Sequence, residues 1–389
     1  MPEAVIVSAV RTPIGTARKG TLTETSGEEL ATHILREAVR RSGLEADRFE
    51  DVVLAESMYG GGDLARYAAV AVGMTQAPGV AVNRHCAGSL TAVAMAAGSI
   101  RAGMDRAVVA GGVQSTSLSP KVQWRIPGTE STEIRSAPTF PYTDDANDDT
   151  SLTVGWNVAQ KYRISRERMD AWAVRSHRRA VAATQAGAFT DELAPIKVTR
   201  RDGSVMEFSA DEHPRPTTSM EKVAALPPLR PDIPGFSITA GNASGANDGA
   251  AALAVVSDAL ARAEGLTPLG TVRAWAATGV QPRVTGVGAI DAAVKALDRA
   301  GLTPAEIDLW EVNEAFASVP VATCDVLGLD EERVNVHGSG CSLGHPIAAT
   351  GARMLTTLVH ELRRRGGGVG MATMCAGGGQ GGAVVIEVD

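Results

Sequence analysis

Arg36-Glu37-Ala38-Val39-Arg40-Arg41-Ser42-Gly43-Leu44 opens a stretch, residues 36–56, whose pattern returns at residues 294–314. Each copy is the end of an amphipathic helix, a glycine stop, a short polar turn and an apolar strand that finishes on a glutamate, Glu56 or Glu314. In the first copy Leu30, Ile34, Leu35, Ala38 and Val39 share one helical face, and Gly43 supplies the left-handed residue that ends the helix. In the second copy Thr303, Pro304 and Glu306 read as a helix start with a capping box. A stretch that recurs at this spacing implies two related α/β halves around one cleft.

The flanking sequence extends both halves. Residues 5–10 read as a buried strand followed by a turn at residues 11–15. Each half then adds a helix, near Cys86 in the first and near His345 in the second, followed by a glycine, an apolar strand and a glycine cluster. Between them the pattern changes. Residues 115–147 and 213–234 are rich in proline, which predicts long surface loops, and one helix is expected after Ser165 with Met169, Trp172, Ala173, Ser176 and Ala180 inward. The expected organisation is an N-terminal half, residues 1–115 with 247–268, an inserted loop domain over the site, residues 116–246, and a C-terminal half, residues 269–389.

At 389 residues the chain exceeds one ordinary core, which agrees with several units. A net charge of −7 argues against nucleic acid or an anionic membrane surface as the main partner. Four cysteines in a chain this long do not make a disulfide framework. With neither a signal-peptide pattern nor a membrane-length apolar run, the expectation is a soluble, cytoplasmic protein.

Four segments carry reactive groups. Cys86 is followed by small residues and an uncharged run, which reads either as a thiol activated at a helix mouth or as a buried structural cysteine. Asn313-Glu314-Ala315-Phe316-Ala317 follows a strand end, although Asn313 is equally readable as a helix N-cap. His345 stands between Gly344 and Pro346 and could be incidental; Cys375 precedes a glycine run that could be only a tight turn. Together they supply a nucleophile, a base, a second thiol, an amide and free peptide N–H groups, the set needed to make and break a thioester.

In this combination, Asn83-x-x-Cys86, Asn313 to Ala317, Gly344-His345-Pro346 and Cys375-x-Gly377-Gly378-Gly379, the chain resembles the thiolase family of acetyl-CoA C-acyltransferases. Residues 239–249 are similar to that family's CoA-site segment, and the likeness runs in order along nearly the whole chain. The resemblance implies a duplicated α/β/α/β/α layered fold with an inserted loop domain. It also implies catalytic roles for Cys86 as nucleophile, His345 as its base, Cys375 as acid and base at the α-carbon, Asn313 through a water, and the Gly377 N–H with that of Cys86 as an oxyanion hole. Ser244, Ala243 and Phe316 are then substrate-binding, with Arg215 on the CoA phosphates. CoA and acyl-CoA thioesters are substrates, no metal or prosthetic group is needed, and the chain pairs with itself as a dimer, with a tetramer as the alternative.

Several positions depart from the family pattern: Ala87-Gly88-Ser89 after the nucleophile, His337, Ser339, Ala348, and residues 151–157, which imply a changed acyl or pantetheine pocket. Two other readings of the same fold are a different condensing enzyme, which Cys375 disfavours, and a non-catalytic acyl-CoA or lipid-binding protein. A zinc site of Cys341, His345 and Cys375 lacks paired C-x-x-C spacing.

Overall fold

Gly43 and Gly301 take left-handed backbone angles, φ 74° and 68°, and end the two equivalent helices. The computed structural model in which they lie describes residues 2–59, 61–135, 137 and 152–389. In chain order the elements that build the site are β1 (Ala4–Arg11), α1 (Gly27–Ser42), β2 (Asp51–Glu56), α2 (Leu64–Ala71), β3 (Gly79–Val82), α3 (Gly88–Arg101) and β4 (Ala107–Gln114). There follow α4 (Thr153–Tyr162), α5 (Arg166–Gln185), β5 (Asn247–Ser257), β6 (Gly270–Gly279), α6 (Gly288–Ala300) and β7 (Leu309–Val312). The chain closes with α7 (Ser318–Leu327), α8 (Thr350–Arg365), β8 (Gly368–Ala376) and β9 (Gln380–Val388).

The strands run in the order β7-β8-β9-β6-β1-β5-β4-β2-β3, with the two residues Gly15–Thr16 added beside β5. The order on each side is the duplication made visible: β2-β4-β5-β1 in the first half matches β7-β8-β9-β6 in the second. Only Val5 with Thr271 and Ile6 with Gly270 join the halves across β1 and β6.

Because strand side chains alternate between faces, each half needs cover on both sides. Helices α1 and α2 cover the outer face of the first half, and α6 that of the second. Helices α3 and α8 lie between the halves and touch strands of both. Three large apolar clusters fill the resulting gaps: Leu30, Ile34 and Leu35 under α1, Val93, Ala97, Leu355 and Leu358 in the middle, and Ile290, Ala293 and Ala296 under α6. This is the expected α/β/α/β/α layering.

The middle third carries more structure than a loop reading allows. Besides α5, capped by Ser165 as expected, it holds α4, a short helix Met220–Ala224 and two two-stranded ribbons that stay apart from the large sheet. Helix α4 escapes sequence reasoning because no side chain caps it and Gly155 interrupts its first turns. That glycine is required: a Cβ there would lie 2.4 Å from the Phe316 ring. Of the proline-rich loop, residues 136 and 138–147 lie outside the described residues, as does Ser151. The capping box at Thr303 and Glu306 forms, yet it starts only one 3-10 turn, Pro304–Glu306.

Candidate functional site

Cys86 sits in a single helical turn, His85–Ala87, that leads into α3. The turn packs on β8 and on the turn Ile347–Ala349 that follows His345, which brings the two halves' reactive segments together. Asn83 Oδ1 accepts the His85 N–H at 2.9 Å and supports that residue's positive φ of 44°. Although Cys86 is only half-buried as a residue, burial around the sulfur pushes its thiol up to about 11, against hydrogen bonds from the N–H groups of Gly377 and Cys86 itself. Desolvation thus outweighs the peptide dipoles at this thiol.

His345 is held by three neighbours. Its N–H donates to Asn247 Oδ1 at 2.9 Å, its Nδ1 lies 2.7 Å from Thr350 Oγ1, and Asn313 Nδ2 lies 3.4 Å from Nε2. The Thr350 hydroxyl donates to the Pro346 carbonyl at 2.8 Å, so it receives the Nδ1–H and leaves the Nε2 lone pair as the base. Burial, and then the Arg353 charge, pull the ring down to about 3, so it is neutral at physiological pH. Gly344 makes the turn possible: its φ is 103°, and a Cβ would meet the Asn247 amide at 2.7 Å.

Asn313 is not a helix cap, because α7 starts only at Ser318. Its N–H pairs with the Thr373 carbonyl on β8 at 3.1 Å, and its Oδ1 is buried with no hydrogen-bond partner among the described residues. The adjacent Glu314 is fully buried and accepts from Trp172 Nε1 at 2.8 Å, Ser176 Oγ at 2.6 Å, Asn335 Nδ2 at 2.8 Å and the Cys341 N–H at 3.1 Å. It pins the motif to α5 and to the His345 loop.

Cys375 is the penultimate residue of β8 and is buried; burial and then the neighbouring Cys86 push its thiol up to about 12. The turn after it does use glycine for conformation, with φ of 79° and 77° at Gly378 and Gly379. Both readings of the glycine run thus hold, because Gly377 just before them turns its N–H to the Cys86 sulfur.

The segment ahead of β5 ties these pieces together. Ala243 bridges to Phe316, the Ser244 N–H donates to the Ala315 carbonyl at 2.9 Å, and Ala246 bridges to His345. Phe316 is buried against Gly155 of α4, the helix that covers most of the unusual 151–157 segment. Arg215 lies farther out: it is exposed, its N–H donates to His177 Nδ1 at 3.1 Å, and its guanidinium makes no ion pair among the described residues. Cys341 is buried and engaged with Glu314 through its N–H and its thiol. Among the described residues no group of three or more His, Cys, Asp or Glu side chains is arranged to hold a metal ion.

Sequence reasoning assigned no role to Asn247, Thr350 or Arg353. Asn247 lies inside the 239–249 segment without standing out from it, and nothing in the local pattern distinguishes Thr350 or Arg353 from ordinary helix residues.

Comparison with known proteins agrees with this geometry. The family model described as Thiolase, N-terminal domain matches residues 4–259, and Thiolase, C-terminal domain matches residues 266–388. Relatives include an acetyl-CoA acetyltransferase of Pseudomonas aeruginosa, 39% identical with all of both chains covered. Another is that of Escherichia coli, 40% identical over 100% of this chain and 99% of the other. The 3-oxoadipyl-CoA/3-oxo-5,6-dehydrosuberyl-CoA thiolase of Escherichia coli is 38% identical over the whole of both. A crystal structure of the Bacillus anthracis acetyl-CoA acetyltransferase superposes with a TM-score of 0.92, at 39% identity over 100% of this chain and 99% of the other. On sequence and layering alike, the chain belongs to the thiolase family.

Proposed function

We propose that Cys86 carries the acyl group in a reversible exchange with CoA, splitting a 3-ketoacyl-CoA into acetyl-CoA and a shortened acyl-CoA or condensing two acyl-CoAs. As a thiolase the chain is an acyltransferase, and the family match favours catalysis over a binding role. In cleavage the Cys86 thiol gives its proton to His345 Nε2 while its sulfur bonds to the 3-keto carbon. The bond between C2 and C3 then breaks, and its electron pair leaves as the enolate of acetyl-CoA. Cys375 protonates that enolate at carbon. CoA next gives its thiol proton to the Cys375 thiolate, its sulfur bonds to the acyl carbon, and the Cys86 sulfur leaves and takes its proton back from His345 as the shortened acyl-CoA departs. The N–H groups of Cys86 and Gly377 would hold the oxyanion at the acylated sulfur, and Asn313, through a water, would share with His345 the oxygen of the other thioester.

The observation that carries this reading is the packing of the Cys86 turn on β8 and on the turn that follows His345, with the Cys375 thiol beside that of Cys86 and the Gly377 N–H directed to the Cys86 sulfur. These groups do the acid–base and nucleophilic work themselves, so the reading needs no metal or organic prosthetic group. Ser244, Ala243 and Phe316 would line the pantetheine and acyl path, and Arg215 at the exposed rim would meet CoA phosphates. The test separates the two thiols. Cys375→Ala should still take an acetyl group from acetyl-CoA but lose condensation, whereas Cys86→Ala should lose both; condensation by both variants would refute the roles.

The same reading includes self-association, as a dimer, in the cytoplasm, on CoA thioesters of fatty acid metabolism. Strand β3 is a sheet edge, and the apolar side chains of Val80 on it and of Tyr67 and Val70 on α2 are exposed, which favours pairing with a second copy. No helix among the described residues is long and apolar enough to cross a membrane, and all four cysteines are free thiols.

A further inference from the structure

A chain of contacts through two imidazoles that the reaction as written does not use joins the exposed Arg215 to the His345 loop. His177 comes from α5 and His213 from the segment two residues before Arg215; they are 5% and 7% exposed, and their rings stack with centroids 6.2 Å apart and planes 18° from parallel. His177 Nδ1 accepts the Arg215 N–H at 3.1 Å, so that nitrogen carries no proton and the ring is the neutral Nε2–H tautomer. His213 Nδ1 lies 3.0 Å from the Ser342 carbonyl, which can only accept, so His213 carries a proton on Nδ1. Its Nε2 edge fills the space beside Gly245, where a Cβ would lie 2.7 Å from that nitrogen. Ser342 stands three residues before His345, and Gly245 follows Ser244. Upstream, Asp211 accepts from Arg11 Nη1 and Nη2 at 2.8 and 2.9 Å and from the Ile14 N–H at 2.8 Å. The main chain leading to Arg215 is thus fastened on both sides of His213. Two apolar rings would fill the same space without the cost of burying polar nitrogens, so the hydrogen bonds are what this pair adds.

We propose that His177 and His213 are positioning residues that act through Arg215: together they hold its main chain at a fixed place relative to the His345 loop, so that its guanidinium meets the phosphate-bearing end of CoA while the thiol end reaches Cys86. This rests on the reading of Arg215 as the CoA-phosphate residue. The gain is entropic. A guanidinium on a loop free to move gives up that freedom when it binds, whereas one whose main chain is already tied gives up only side-chain freedom. His177 supplies the tie at Arg215 itself, and His213 carries it on to the Ser342 carbonyl and to Gly245. Neither imidazole takes part in a proton transfer, so the consequence of losing one falls on binding of the phosphate-bearing ligand.

The test compares CoA with pantetheine, which lacks the phosphates. Binding of each to the purified protein is measured by isothermal titration calorimetry, with folding checked by circular dichroism and steady-state kinetics run alongside. His177→Phe keeps a ring to stack on His213 but removes the acceptor. It should weaken CoA binding by about fivefold to tenfold and raise KM for CoA in step, with kcat at saturating CoA and the affinity for pantetheine unchanged. His177→Asn, whose Oδ1 can stand where Nδ1 stood, should recover most of the loss. In an Arg215→Ala background, itself weaker for CoA, His177→Phe should add nothing, because the two residues act as one. If His177→Phe does not fold, His213→Phe, which gives up the Ser342 carbonyl, is read in the same way. Arg215→Ala binding CoA as tightly as the wild type would refute the reading of Arg215 and the proposal with it. With Arg215→Ala weakened, an unmoved CoA affinity in folded His177→Phe, an equal loss for pantetheine, or an undiminished loss in the Arg215→Ala background would each overturn the proposal and leave that reading standing.

Discussion

His345 Nδ1 and the Thr350 hydroxyl lie 2.7 Å apart, and that hydroxyl is itself committed to the Pro346 carbonyl. Thr350 thereby fixes which imidazole nitrogen carries the proton. Thr350→Val keeps the shape of the side chain but removes the acceptor. It should lower kcat by about tenfold, the equivalent of one lost hydrogen bond of ~1.4 kcal/mol, with little change in KM. Steady-state kinetics on the folded variant checks this.

The turn before His345 permits almost no side chain. At Gly344 a Cβ would fall 2.7 Å from the Asn247 amide, and the φ of 103° is strained for any other residue. Gly344→Ala should cost about 1–3 kcal/mol of stability and displace the ring from Cys86. Thermal melting reads the first effect, and a loss of kcat larger than the loss of folded protein reads the second.

Glu314 stands behind the catalytic groups as an acceptor for donors from several elements, and Glu314→Gln would set an amide N–H against some of them. The expected cost is about 2–4 kcal/mol, measured by chemical denaturation. Glu314→Asp, which keeps the charge but shortens the reach, should fall between the variant and the wild type.

Stability should also follow the His345 proton. Burial lowers the folded-state pKa to about 3 from an ordinary value near 6.5, so between these limits the unfolded chain binds a proton that the folded chain does not. The stabilisation is complete above about pH 6.5 and is lost as pH falls toward 3. His345→Asn should flatten the acid side of the stability curve over that window, and an unchanged slope would contradict the neutral-imidazole account.

Much of the architecture is legible in residues 36–56 and 294–314, because the same helix stop, turn and strand recur and glycine is needed at both stops. The reactive groups are legible for a related reason: Cys86, His345 and Cys375 lie among glycines and small residues, where chemistry needs room. The supports are not. Thr350 and Asn247 act through contacts made across the fold, and α4 depends on Phe316 for its packing rather than on its own cap. The protonation state of Cys86 is not legible either: peptide dipoles can be inferred from a local motif, whereas the burial that outweighs them is a property of the assembled layers.

The central claim is that Cys86 carries the acyl group. Intact-protein mass and peptide mapping after brief exposure to acetyl-CoA, acetoacetyl-CoA and a longer 3-ketoacyl-CoA test it most directly. The account predicts an acyl adduct on Cys86 that disappears when CoA is added. No adduct on Cys86 with any of the three, in protein that still binds CoA, would contradict it.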